Sequence, residues 1–365
     1  LESTMLDFAE LRLALVGLLR AHAAGAGADL RALFTSDPER AQRFVLQLPG
    51  CWIDLSKQPL TEDLLHSAAG IAEQMDLRGA LHALFDGALV NATENRAALH
   101  TLLRTPVGAP VATALQQRHA QILSTLERMD VLAESLASSG IETVINLGIG
   151  GSDLGPRLVY DALSATALPR RRLRFVANID GNALAAVLRD LDPRRCALVL
   201  ASKSFGTQET LMNAASAMAW MRSNGLTDQE INERLIAVTA KPAAARAFGV
   251  PEAHILAFDE AVGGRYSVWS AIGFPLVYAF GIDHFREFLA GAHAVDLHVL
   301  ETPWRNNAGF LFALIEMLQR CGYQHPTHAV VAYDERLARL PEYLQQLEME
   351  SNGKSVDVSG ANLTI

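Results

Sequence analysis

Short apolar runs rich in β-branched residues alternate with longer helical patterns from Glu142 onward. This alternation is typical of parallel strands joined by crossover helices. Such a sheet carries its connecting loops, and its ligands, at the carboxyl ends of the strands. The sequence therefore predicts an α/β fold with a five-stranded parallel sheet covered by helices. The five predicted strands are residues 143–147, 173–177, 197–201, 235–239 and 255–258.

The first third of the chain has apolar residues mostly at helical spacing, from Leu6 to about Leu136, and predicts a helical N-terminal region. Helical patterns also cover 267–280, 285–299 and 308–320, and a further strand is predicted at 328–333. A chain of 365 residues with half of them hydrophobic can bury two cores. We expect a helical region over 1–112, a first α/β domain over 113–285, and the start of a second over 286–365.

Charge and cysteine content exclude several classes of protein. A formal net charge of −9 disfavours a nucleic-acid partner, because such binding relies on clustered Lys and Arg. Three scattered cysteines give neither a disulfide framework nor a metal-ligand motif. No apolar run approaches the roughly 20 residues that span a bilayer. We expect a cytoplasmic protein with no membrane contact.

A glycine-rich segment, Gly148–Gly155, follows the first predicted strand and precedes a helical pattern. Glycines permit close backbone approach, and the amides at a helix start attract an anion. Gly151 and Ser152 are therefore candidate ligand contacts. Two alternatives stay open: a tight turn without a ligand, and a dinucleotide loop, although Asp153 stands at the last fingerprint position where glycine is required.

The segment after the third predicted strand gathers three hydroxyls and one ammonium within six residues, at the start of a helix. These side chains suit a phosphate monoester, since the helix start adds further donors. The spacing of a nucleotide-hydrolysing Walker loop is absent. An ordinary helix cap beside a solvated lysine is the alternative. The candidate phosphate contacts are Ser202, Lys203, Ser204 and Thr207.

Two charged residues are candidates for chemistry. Two glycines directly precede Arg265, which lies before an apolar helix. Its permanent positive charge could stabilise a developing oxyanion. Glu350 lies near the end of a helical pattern, before Ser351-Asn352-Gly353. A carboxylate there can move a proton between adjacent sugar carbons if burial raises its pKa. The alternatives are a surface ion pair for the arginine and a solvated glutamate.

Taken together, five segments in this order resemble the glucose-6-phosphate isomerase (phosphoglucose isomerase) family. The resemblance runs from about residue 90 to residue 354 and includes a signature stretch over 260–273. Five segments in order are far more specific than any one of them. They are 91–100, 148–155, 202–210, 260–273 and 349–354.

The resemblance implies αβα domains of the sugar-isomerase (SIS) type, a homodimer, and interconversion of glucose 6-phosphate and fructose 6-phosphate in glycolysis and gluconeogenesis, without metal or cofactor. It assigns the phosphate to Ser202, Lys203, Ser204 and Thr207, and the sugar to Gly151 and Ser152. Glu350 becomes the base that shuttles a proton between C2 and C1 through a cis-enediol. Arg265 stabilises the charge on oxygen, with Gln346 nearby.

Family members continue past the position of Lys354 and supply a ring-opening histidine in a G-Q-H segment and a later lysine. Neither segment occurs in this sequence, and Gln324-His325 precedes Glu350, so it is not the counterpart. We therefore expect this chain to be a C-terminally truncated piece of the enzyme. A non-catalytic sugar-phosphate sensor on the same domain is the alternative function. A dinucleotide-dependent oxidoreductase, with Asp180 as the acidic residue, is a weaker one.

Overall fold

The computed structural model describes residues 8–25, 29–92, 94–357 and 360–362. Its strands are β1 Val45–Leu48, β2 Cys51–Asp54, β3 Thr143–Gly148, β4 Arg172–Val176, β5 Cys196–Ala201, β6 Leu235–Thr239 and β7 Ile255–Ala257. Its α-helices are α1 Phe8–Ala24, α2 Leu30–Ser36, α3 Arg40–Arg43, α4 Glu62–Gln74, α5 Leu77–Phe85, α6 Gln116–Ser138, α7 Leu154–Ser164, α8 Gly181–Leu188, α9 Gln208–Ser223, α10 Asp228–Asn232, α11 Pro242–Phe248, α12 Phe274–Phe280, α13 Ile282–Glu301, α14 Ala308–Met317 and α15 Leu340–Asn352.

The described residues group into two compact units. One unit combines residues up to 85 with 291–329, and the other combines 86–290 with 330–362. The domain boundaries expected after residues 112 and 285 remain a prediction.

The second unit is built on a five-stranded parallel sheet in the order β4-β3-β5-β6-β7. Each predicted strand agrees with an observed one to within two residues at either end. Both faces of the sheet are covered, because alternate residues of β3 point to opposite sides. Val144 joins a core that includes α6 and α12, and Ile145 joins a core that includes α8 and α9. The expected αβα sandwich is confirmed.

The strand order places a topological switch at β3. The chain passes from β3 to β4 on one side, then returns to pair β5 on the other side of β3. Open α/β sheets bind ligands in the crevice outside the carboxyl ends of strands at such a point. The loops after β3 and β5 are the two that the sequence singles out as anion-binding.

The other unit is mostly helical, and it contains a two-stranded hairpin that the sequence pattern missed. Strands β1 and β2 pair antiparallel, with Leu48 opposite Cys51 across a turn of two residues. Gly50 in that turn has φ of +71°, a left-handed conformation that glycine adopts without strain. Four-residue strands give too few alternating positions to stand out from the surrounding helical spacing.

The strand predicted at 328–333 is wrong. These residues have no regular secondary structure, and Val331 and Tyr333 are 67% and 98% exposed. A β-branched run forms a strand only when a neighbouring backbone accepts its hydrogen bonds. None of the described strands pairs with this run.

Candidate active site

A cleft of about 610 Å³ opens at the carboxyl edge of the parallel sheet, within the unit that contains the sheet. Loops that follow β3, β5, β6 and β7 all contribute to it, and α15 closes one side. Of the predicted site residues, all except Arg265 line it. The lining residues are Arg96, Ile149, Gly150, Gly151, Ser152, Ala201, Ser202, Lys203, Ser204, Thr207, Ala240, Lys241, Glu260, Gly264, Gln346 and Glu350.

The glycine-rich loop after β3 forms one wall. Gly150 has φ of +55°, and a Cβ there would lie 2.8 Å from Nε2 of Gln346. Gly151 is buried, and a Cβ on it would lie 2.1 Å from the carbonyl oxygen of Gly264. Hydrogen alone therefore fits where this loop crosses the loop that carries Arg265. The crossing brings two segments about 110 residues apart in sequence into the same site.

The loop after β5 holds its hydroxyls in a defined arrangement. Ser202 Oγ and Thr207 Oγ1 lie 2.9 Å apart, and Ser204 Oγ accepts the Gly206 backbone amide at 3.2 Å. Although Thr207 is the N-cap residue of α9, its side chain makes no capping bond. Phe205 has φ of +49° and is buried, in edge contact with Phe248. This buried residue with a strained backbone conformation fixes the loop at the N-terminus of α9.

Lys203 is half-buried rather than solvated. Its Nζ donates to the carbonyl oxygen of Val262 at 2.9 Å. Burial lowers the pKa of Lys203, and the nearby charge of Arg96 lowers it further. The ammonium thus lies inside the cleft beside a second cation, an arrangement that favours an anionic ligand.

Glu350 and Arg265 meet although 85 residues separate them. Arg265 Nη1 donates to Glu350 Oε1 at 3.1 Å, and Gln346 Nε2 donates to Glu350 Oε2 at 3.1 Å. Gln346 and Glu350 lie one turn apart on α15, which explains their shared direction. The Glu350 side chain is 47% exposed, whereas the sequence-based prediction of a catalytic base expected it to be buried.

Aromatic rings support Arg265 from behind. Its guanidinium lies 4.7 Å from the ring centroid of Tyr266, and the ring of His100 stacks on Tyr266 at 4.7 Å. Tyr343 donates its hydroxyl to the backbone oxygen of Arg265 at 3.3 Å. Stacking of this kind orients a guanidinium while leaving its N–H groups free to bind.

Three charged lining residues were not among the predicted site residues: Arg96, Lys241 and Glu260. Lys241 forms an ion pair with Glu260, and Arg96 forms one with Glu94. Lys241 follows β6, so the carboxyl-edge rule that identified the other loops could have found it. Arg96 lies far from any strand end in the sequence, and only its place in the family-like segment 91–100 marked it.

Other candidates lie outside the cleft. Asp180, considered for a dinucleotide, caps α8 by accepting the Asn182 amide at 3.0 Å and does not line the cleft. His325 and His328 are exposed. Among the described residues, no cluster of His, Cys, Asp or Glu side chains could hold a metal ion. The same residues include no helix long and apolar enough to cross a membrane.

Comparison with known proteins places these observations in a family. The phosphoglucose isomerase family model matches residues 54–365. Glucose-6-phosphate isomerase 2 of Chromobacterium violaceum is 43% identical over 343 residues, which cover 92% of this chain and 62% of that protein. Glucose-6-phosphate isomerase of Gloeobacter violaceus is 42% identical over 343 residues, covering 92% and 63%.

A solved structure shows the same relation. The crystal structure of a glucose-6-phosphate isomerase from Chlamydia trachomatis superimposes with a TM-score of 0.86 at 29% identity, over 97% of this chain and 68% of that one. The chain spans less than two thirds of the length of the two curated relatives. The match of the family model over most of the sequence nevertheless settles its membership. This chain belongs to the phosphoglucose isomerase family.

Proposed function

We propose that this chain acts as a glucose-6-phosphate isomerase in glycolysis and gluconeogenesis. It binds the sugar phosphate and transfers a proton between C2 and C1 of the sugar. The observation that carries the proposal is the meeting of two chemically different groups in one cleft. Hydroxyls and an ammonium lie after β5, and a carboxylate with its arginine lies at α15. A phosphorylated substrate of aldose–ketose isomerisation requires both.

The phosphate binds, in this proposal, between Ser202, Lys203, Ser204 and Thr207. The Ser202 and Thr207 hydroxyls currently hydrogen-bond each other, and each can turn to donate to a phosphate oxygen. The start of α9 adds backbone amides and the positive end of its dipole. Gly151 and Ser152 then line the sugar from the opposite loop.

Glu350 acts as the base in this proposal. It removes the proton from C2 of the open-chain aldose, or from C1 of the ketose, and returns it to the neighbouring carbon of the cis-enediol. Arg265 stabilises the negative charge that develops on the substrate oxygen, and Gln346 holds the carboxylate. A bound sugar covers the half-exposed carboxylate and excludes water from it.

Proton exchange with solvent tests this step directly. NMR of fructose 6-phosphate in deuterated water follows deuterium uptake at C1 and formation of the aldose. We expect uptake with the wild-type chain and none with Glu350→Gln, while affinity for fructose 6-phosphate changes less than about 3-fold, because binding rests on the phosphate loop. Glu348→Gln, the same change two residues away on α15, is the matched control.

Three results contradict the proposal. Unchanged uptake in Glu350→Gln removes this residue as the base. Equal loss of binding and exchange makes Glu350 a binding residue. Binding without uptake by the wild-type chain favours the non-catalytic sugar-phosphate sensor instead.

We also propose, from family membership, that the protein works in the cytoplasm as a homodimer without a cofactor. Light scattering coupled to size-exclusion chromatography measures the oligomeric state, and a monomeric mass at micromolar concentration contradicts the dimer.

A further inference from the structure

The segment from Asn91 to His100 is the one family-like segment whose role in the proposed function is still unassigned. It forms a closed loop: Asn91 and Arg96 exchange backbone hydrogen bonds of 3.0 and 3.2 Å, as in an isolated antiparallel bridge. The Asn91 side chain donates to Glu94 Oε2 at 2.7 Å. Thr93 lies outside the described residues. Such a tight loop fixes the direction of the side chain at its end.

The loop is anchored to the sheet-edge loop that carries Glu260. Leu99 donates its backbone amide to the Ala261 carbonyl at 3.1 Å. Ala97 and Leu99 are buried together in a small apolar cluster, against which Ala261 packs. A buried anchor on one side of Arg96 and the bridge at Arg96 itself therefore hold this residue at the cleft wall.

Arg96 lines the same cleft as Lys203 and Ser204. Its side chain is 31% exposed, and its Nε donates to Glu94 Oε2 at 2.9 Å. Burial lowers the pKa of Lys203, and the charge of Arg96 lowers it further. Two neighbouring cations repel each other unless an anion lies between or beside them.

We propose that Arg96 is a further phosphate-binding residue of this cleft, held by Glu94 in the free protein and transferred to the phosphate of the bound sugar. This inference rests on the proposed function. The exchange is inexpensive, because Glu94 is half exposed and surface ion pairs contribute little. A phosphate dianion offers the planar guanidinium two oxygens, whereas both of its contacts with Glu94 go to the single oxygen Oε2.

A phosphate loop with a single lysine leaves charge uncompensated. Lys203 already donates one of its three N–H groups to Val262, and the loop hydroxyls carry no charge. Arg96 supplies the second positive charge that a dianion requires. It also favours phosphorylated over unphosphorylated sugars, since a neutral hydroxymethyl group cannot replace Glu94.

Lys241 is the matched control. It lines the same cleft and is likewise paired with a carboxylate, Glu260, and its side chain is more exposed than that of Arg96. Because the loss of one positive charge is common to Arg96→Gln and Lys241→Gln, a difference between them reports direct contact rather than the general field of the cleft.

Isothermal titration of the full chain with fructose 6-phosphate, inorganic phosphate and fructose tests the proposal at two salt concentrations. We expect Arg96→Gln to weaken fructose 6-phosphate binding about 10-fold or more, as for the loss of a charge-assisted hydrogen bond. Arg96→Lys retains the positive charge but lacks the forked guanidinium that donates to two oxygens at once, so we expect an intermediate loss of affinity. Lys241→Gln changes affinity less than about 3-fold, and Glu94→Gln does not weaken binding.

The outcomes separate this inference from the function on which it rests. Wild-type chain that binds neither fructose 6-phosphate nor phosphate overturns both. If the wild-type chain binds fructose 6-phosphate and Arg96→Gln binds it with an affinity within 2-fold of the wild type, the role of Arg96 alone is overturned. The same conclusion follows if Lys241→Gln loses as much affinity as Arg96→Gln. Arg96→Lys guards against a folding defect: full affinity in this variant shows that the fork makes no specific contact and contradicts the proposal.

Discussion

Arg265 illustrates how much of this site depends on contacts between neighbouring side chains. Glu350 accepts from one of its nitrogens, and Tyr266 supports its face. Tyr266 is in turn stacked on His100, and its hydroxyl lies 3.3 Å from Ser351 Oγ, next to Glu350 in the chain. The arginine and the carboxylate are thus fixed relative to each other through one aromatic ring as well as through their own ion pair.

His100 gives this cluster a measurable pH dependence. Burial, with the charges of Arg104 and Arg265, lowers the pKa of His100 from 6.5 to about 4. As the pH falls below 6.5, the unfolded chain binds a proton that the folded chain does not, so stability declines down to pH 4. The loss is at most about 3 kcal/mol.

The variant His100→Phe retains the stack and removes the titration. Between pH 7.5 and pH 4.5, we expect its urea midpoint to fall less than that of the wild-type chain. His328→Phe, at an exposed histidine, controls for the loss of a ring nitrogen. Identical pH profiles for wild-type and His100→Phe contradict the assignment.

At the scale of elements, the site is a consequence of strand order. All five parallel strands end at one edge, and the switch at β3 separates the loops after β3 and β5 enough to leave a cleft. The loop after β7 then crosses over the glycine loop at Gly151 and Gly264. This crossing fixes the position of Arg265 relative to the glycine-rich loop.

A methyl group at the crossing tests that spacing. Gly151→Ala places a Cβ 2.1 Å from the Gly264 carbonyl oxygen, so the two loops must separate. We expect a loss of about 1–3 kcal/mol in stability, as for other overpacked sites, and weaker binding of fructose 6-phosphate. Gly264→Ala, on the other side of the same contact, meets nothing within 4 Å and should have little effect on stability. Equal thermal midpoints for the two variants contradict this packing.

The sequence pattern predicted the secondary-structure elements more accurately than the contacts between distant residues. Strand periods and loop chemistry placed β3 to β7 and marked the loop of Ser202, and the family resemblance assigned Glu350 to the same site. The hairpin of β1 and β2 escaped detection because each strand is four residues long. The run at 328–333 has strand composition, but pairing partners decide whether a strand forms. Arg96 could not be placed, since its position depends on a local bridge and on Ala261, far away in sequence.

At the scale of the whole chain, the cysteines report on the two units separately. Cys51 and Cys321 belong to the mostly helical unit, and Cys196 begins β5 in the centre of the sheet. Cys51 is exposed, Cys321 is half-buried and Cys196 is fully buried. The core around Cys196 extends over both faces of a five-stranded sheet, whereas the core near Cys321 packs helices and a hairpin.

Thiol alkylation across a urea series therefore distinguishes how the units unfold. Burial raises the pKa of Cys196 from 9.0 to about 12, so its thiolate at pH 8 is roughly 10³-fold scarcer than that of an ordinary cysteine, before access is considered. We expect Cys51 to react at once, Cys321 at low urea and Cys196 only at the urea concentration that unfolds the sheet, as read by peptide mass spectrometry. Variants with two of the three cysteines replaced by serine assign each rate. Rapid alkylation of Cys196 in native buffer contradicts the sheet core, while simultaneous reaction of Cys196 and Cys321 shows that the two units unfold together.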